Sequence, residues 1–90
     1  MNDLNIAVIT STYVLEKKSP ILEVIHNFDG IWEFYSNDPL DKDDYRVISL
    51  DEIIGFDITL YPLINMDRGY YAVRDNITYP WIISKIPKHP

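Results

Sequence analysis

Ninety residues, 47% of them apolar and 13% aromatic, make one folded domain and exclude a disordered chain. The absence of cysteine excludes a disulfide framework and a thiolate zinc site, so the core must stand unaided. A formal net charge of −6 argues against nucleic acid as a ligand and suits solubility or a basic protein partner.

The opening, MNDLNIAVITST, has neither the basic start nor the long apolar run of a secretory signal. No stretch approaches the roughly eighteen apolar residues of a membrane span. A cytoplasmic protein with no membrane association is expected.

Asn5 to Leu15 is rich in β-branched residues and opens with the apolar run Ile6 to Ile9, which predicts a buried strand. Glu16-Lys17-Lys18-Ser19-Pro20 is a polar turn into the next segment, and the first strand is expected to pair with Ile21 to His26. Ile21 to Ser36 then reads as a hairpin around Asn27-Phe28-Asp29-Gly30, with glycine where φ must be positive. If Asn27 faces Ile31, the register sets His26 opposite Trp32, Ile25 opposite Glu33, Val24 opposite Phe34 and Glu23 opposite Tyr35. One face then carries Leu22, Val24, His26, Trp32 and Phe34, and should meet a helix. The other holds Ile21, Ile25, Ile31 and Tyr35 beside Glu23 and Glu33; it is expected to meet the C-terminal segment or another subunit.

Asn37 to Asp44 is an exposed acidic loop, followed by a short edge strand from Tyr45 to Ile48. Ser49-Leu50-Asp51-Glu52 is a capping box that starts a helix with Leu50, Ile53, Ile54 and Phe56 on its apolar face, weakened or ended at Gly55. Asp57 caps a second helical piece, stopped or bent at Pro62. After the Asn65 to Gly69 turn, Tyr70 to Arg74 reads as a strand with Tyr71 and Val73 on one face. Asp75 to Pro80 is a loop, Trp81 to Ile83 a last extended segment, and Pro87 to Pro90 a fraying tail. The order predicts an α+β domain: a small antiparallel sheet with a central β-hairpin and one or two short helices.

The inventory for catalysis is thin. The histidines are His26, expected to pack against Trp32, and His89 in the tail. The loop aspartates do not have the spacing of a calcium loop, and Gly30, Gly55 and Gly69 are isolated, so no metal, nucleotide or other cofactor is expected. Glu23 and Glu33, diagonal on one face, read as rim carboxylates rather than an acid and base pair. Arg74 ends its strand and is expected to pair with an acidic residue near the helix.

Five segments carry a resemblance. Asp29-Gly30-Ile31-Trp32-Glu33-Phe34, Val47-Ile48-Ser49-Leu50 with Ile53, Asp57 with Leu60 and Leu63, Gly69-Tyr70-Tyr71-Ala72-Val73-Arg74, and Pro80-Trp81 occur in that order between Ile6 and Ile82. The chain resembles a group of small acidic bacterial proteins of unknown function, part of which is classed with immunity proteins of polymorphic toxin systems. Its Asp-Gly-x-Trp-x-Phe and Gly-x-x-Ala-x-Arg patterns stand intact here. The resemblance implies a non-enzymatic protein-binding domain that neutralises a basic toxin domain, and it brings no catalytic residues.

Charge agrees with that expectation. From Asp29 to Asp57, nine acidic residues stand against Lys42 and Arg46, a local net of −7. The expected partner-binding residues are Asp38, Asp41, Asp43 and Asp44 of the loop with Glu33 of the adjoining hairpin. The alternative is a homodimeric accessory or scaffold protein built on the hairpin's second face.

Overall fold

The hairpin forms the middle of the sheet, in the register its sequence predicts. In the computed structural model, which describes residues 4–88, β2 (Glu23–His26) pairs antiparallel with β3 (Trp32–Tyr35), and His26 faces Trp32. Asn27 N–H donates to the Ile31 carbonyl at 2.9 Å, closing the loop, while Gly30 takes φ of +94°. The Asp29 carboxylate accepts from Ile31 N–H at 3.0 Å, so the turn is held by side chain as well as backbone.

Four further strands complete the sheet: β1 (Ala7–Ser11), β4 (Tyr45–Ser49), β5 (Tyr70–Val73) and β6 (Ile82–Lys85). The order is β4-β1-β3-β2-β5-β6, antiparallel except between β1 and β3. This is a small α+β fold.

Two expectations are corrected. The first strand does not pair with Ile21 to His26: it lies parallel to β3 and antiparallel to β4, so the returning arm of the hairpin enters between β1 and β2. It also stops at Ser11, whose side chain caps α1 (Thr12–Leu15), a single helical turn. Thr10 shows why β1 holds beside β3: fully buried, it donates through Oγ1 to the Phe34 carbonyl at 2.7 Å.

The helices all lie on one face of the sheet. Val8, Val24, Trp32, Phe34 and Ala72 from the strands pack with Val14, Leu50, Ile53, Ile54, Leu60, Leu63 and Met66 from the helical side. α2 (Leu50–Phe56) begins at the expected capping box, with Ser49 Oγ accepting from Glu52 N–H at 3.1 Å and Glu52 Oε1 accepting from Ser49 N–H at 3.3 Å. It runs past Gly55 to Phe56, which is exposed and leaves the apolar face to Leu50, Ile53 and Ile54. A Cβ at Gly55 would touch nothing within 4 Å. Gly55→Ala is therefore expected to stabilise the protein by about 0.5 to 1 kcal/mol, read as a higher urea midpoint with an unchanged slope.

The second helical piece is a 3-10 helix, Ile58–Asn65, capped by Asp57 and carried through Pro62 instead of ending there. Proline has no N–H to give to the Thr59 carbonyl, three residues before it. Trp81 supplies that donor from outside the helix, its Nε1 donating to the Thr59 carbonyl at 3.2 Å. The proline is thus tolerated because the C-terminal segment satisfies the carbonyl it leaves open.

Arg74 anchors the same region. Its Nε and Nη2 donate to the Ile21 carbonyl at 3.2 and 2.9 Å, Nη1 to Thr59 Oγ1 at 3.0 Å, and Nη2 to Asp57 Oδ2 at 2.5 Å. The guanidinium lies 4.0 Å from the Trp81 ring centroid. The expected pairing is present, but the arginine side chain is 1% exposed, so it is a buried ion pair rather than a surface one.

The last strand adds to the sheet beside β5, and Ile86 of the C-terminal segment lines a groove with Glu23, Ile25 and Asn27 of the hairpin's second face. It begins one residue later than predicted, at Ile82. His89 and Pro90 of the predicted tail lie outside the described residues.

Candidate functional site

Strand alternation and the observed registers define the face opposite the helices. One row across it reads Val47, Ile9, Glu33, Ile25, Tyr71 and Ser84. The next reads Tyr45, Ser11, Tyr35, Glu23, Val73 and Ile82. Five strand spacings make this face about 24 Å wide. Val47 at 68% and Ile82 at 63% exposure mark its two ends, while Ile9, Ile25, Tyr71 and Val73 are half-buried by their neighbours. Neither row contains a lysine or arginine.

A polar cluster stands in the middle. The Glu33 carboxylate accepts from Asn27 Nδ2 at 2.6 Å through Oε2 and from the Tyr35 hydroxyl through Oε1. Tyr35 is buried and meets Tyr45 edge-on, with ring centroids 6.0 Å apart. Burial first, then the hydrogen bond to Glu33 and its charge, push the Tyr35 hydroxyl far up, so it stays protonated. Glu23 lies diagonal to Glu33, as the hairpin register predicts, and its carboxylate makes no hydrogen bond or ion pair to the described residues. Burial, with the Glu33 charge behind it, raises its pKa above the ordinary value. An open groove of about 440 Å³ runs beside it, lined by Glu23, Ile25, Asn27, Tyr71 and Ile86.

The loop aspartates divide into two kinds. Asp44 is structural: Oδ2 accepts from Asp41 N–H at 2.9 Å, Oδ1 accepts from Thr12 Oγ1 at 3.1 Å, and its carbonyl accepts from Thr12 N–H at 2.8 Å. These contacts pin the loop to α1. Asp38 is half-buried and accepts from Ser36 Oγ at 2.7 Å. Asp41 and Asp43 are exposed, and their carboxylates make no hydrogen bond to the described residues. Glu33 does not touch the loop: it stands two residues before Tyr35 on β3, one row further along the face. The predicted set of five is therefore divided: Asp38 and Asp44 are engaged by side chain and backbone, Asp41 and Asp43 are exposed in the loop, and Glu33 is a separate carboxylate on the sheet. Glu23, Tyr71 and Ile86 were outside that set, because only the placement of β5 and β6 beside β2 brings them together.

The remaining chemistry-bearing groups are engaged in packing. His26 stacks on Trp32 at 3.8 Å between centroids and 9° between planes, and its Nδ1 lies 2.8 Å from the Met66 carbonyl oxygen. Since a carbonyl only accepts, that nitrogen carries the hydrogen, and the ring acts as a tie between the hairpin and the end of the 3-10 helix. Among the described residues, no three histidine, aspartate or glutamate side chains are grouped so as to hold a metal ion. No helix among them is long and apolar enough to cross a membrane. Compared with protein-family models, curated proteins and solved structures, the chain has no match in any of the three.

Proposed function

We propose that this chain is a non-enzymatic protein-binding domain for a basic protein partner, in the manner of an immunity protein that neutralises a basic toxin domain. The observation that carries the reading is a sheet face with carboxylates at its centre and no lysine or arginine in the two rows that cross it. Asp41 and Asp43, exposed in the loop that joins β3 to β4, add to the negative charge. Such an arrangement attracts a positively charged surface at long range and excludes acidic ones. The engagement of His26 by Trp32 and by the Met66 carbonyl supports the non-enzymatic reading.

The test uses the whole chain as bait in a lysate, alongside an Asp41→Lys/Asp43→Lys variant that keeps Asp44 and so keeps the loop pinned. A basic protein retained by the wild type, released at about 1 M salt where screening reaches about 3 Å, and lost from the variant is the expected result. Equal retention by the variant would remove the loop from the contact. A dimer in sedimentation with no basic prey would favour the second reading, a homodimeric accessory or scaffold built on the same apolar face.

A further inference from the structure

Resting on the basic-partner reading, we propose that the open sheet face is the docking surface itself, and that the partner seats an arginine or lysine side chain against Glu23, between the apolar walls of Ile25, Tyr71 and Ile86. Three features of the face point to this occupant. Covering a half-buried carboxylate without a counter-charge is costly, so a partner that dries this face must bring a cation to Glu23. Glu33 cannot take that role as readily, because both of its oxygens already accept hydrogen bonds from Asn27 and Tyr35. The groove beside Glu23 is open and walled largely by apolar groups, which suits the methylene stem of a long basic side chain as well as its charged end.

A second copy of the chain fits the face less well. Face-to-face pairing would bring two Glu23 and Glu33 pairs, four carboxylates from rows that hold no lysine or arginine, into one interface. A nucleic acid is repelled by the same charges. The site also differs in kind from the acidic loop: Asp41 and Asp43 stay in water and steer, whereas Glu23 is half-buried and anchors.

The probe is n-butylguanidinium, an arginine side-chain analogue, titrated into the isotopically labelled chain and followed by backbone amide shifts, with n-butanol as the uncharged control. Saturable shifts at Glu23, Ile25, Glu33, Tyr71 and Ile86 are expected, absent with butanol. Glu23→Gln should weaken the apparent affinity about tenfold while leaving the thermal midpoint no lower than in the wild type. Shifts centred on 38–44, equal shifts with butanol, no saturation, or a Glu23→Gln variant that binds as well would each overturn the proposal. The two readings fail separately. A basic protein recovered from lysate and bound equally by Glu23→Gln and Tyr71→Ala variants would sink this anchor and spare the basic-partner reading. Guanidinium seated at Glu23 with no basic protein recovered would do the reverse.

Discussion

Arg74→Met should cost about 3 to 5 kcal/mol of folding stability, because it leaves Asp57 without its cation and the Ile21 carbonyl without two donors. A domain of this size has on the order of 5 to 10 kcal/mol in total, so the variant should lie near the edge of folding at 37 °C. Urea denaturation followed by circular dichroism measures it. Asp57→Asn should cost less, since the amide still accepts a hydrogen bond. Adding it to Arg74→Met should cost less than the sum of the two, with a coupling above about 1 kcal/mol. Additivity would mean that Arg74 acts through packing on Trp81 rather than through its ion pair.

The same cluster sets an acid limit. Burial alone would raise the Asp57 carboxyl, but hydrogen bonds from Thr59 and Arg74, with the arginine's charge, outweigh it and hold the pKa below the ordinary 3.8. A carboxyl with a lower pKa when folded contributes stability above the unfolded value and loses it as pH falls through the folded one. The wild type should therefore lose stability below about pH 4, and Asp57→Asn should show a shallower loss over the same interval. Parallel curves for the two proteins would contradict this assignment.

Trp32→Ala is expected to have a comparable effect, about 3 to 5 kcal/mol, for a different reason. Trp32 is 6% exposed, stacks on His26 and lies 6.1 Å from Phe34 between ring centroids. Its removal opens a cavity where the hairpin meets the helical side. His26→Ala should cost much less, since His26 is half-buried and makes one hydrogen bond. Urea midpoints for both variants give the comparison, and a larger loss for His26→Ala would make the Met66 tie the dominant contact.

Where structure follows from neighbouring residues, the sequence read correctly. The Asn27 to Gly30 turn and the alternation of Val24, His26, Trp32 and Phe34 determined the register, because a one-residue slip would turn those apolar side chains into water. Ser49 and Glu52 determined the start of α2, and Asp57 that of the 3-10 helix, since each cap joins atoms two or three residues apart. The charge of the loop was equally plain, although Asp44 proved to be a pin to α1 rather than a free surface group.

Tertiary structure decided the rest. No local pattern distinguishes a strand that pairs with β2 from one that lies parallel to β3. The choice falls to whichever order buries Val8, Val24, Phe34 and Ala72 together beneath the helices. Pro62 reads as a stop or a bend, and Trp81, nineteen positions on, supplies the donor it lacks; Arg74 reads as one half of an ion pair, and only the fold encloses it between the Ile21 and Asp57 groups. The open face belongs to the same class. Glu23 and Glu33 were placed on one side by the hairpin alone, but Tyr71 and Ile86 joined them only when β5 and β6 were added beside β2. The sequence by itself thus determined the turns, caps and faces, which depend on contacts a few residues apart. The strand order and the groove beside Glu23 came from tertiary structure, because burial is shared among segments distant in the chain.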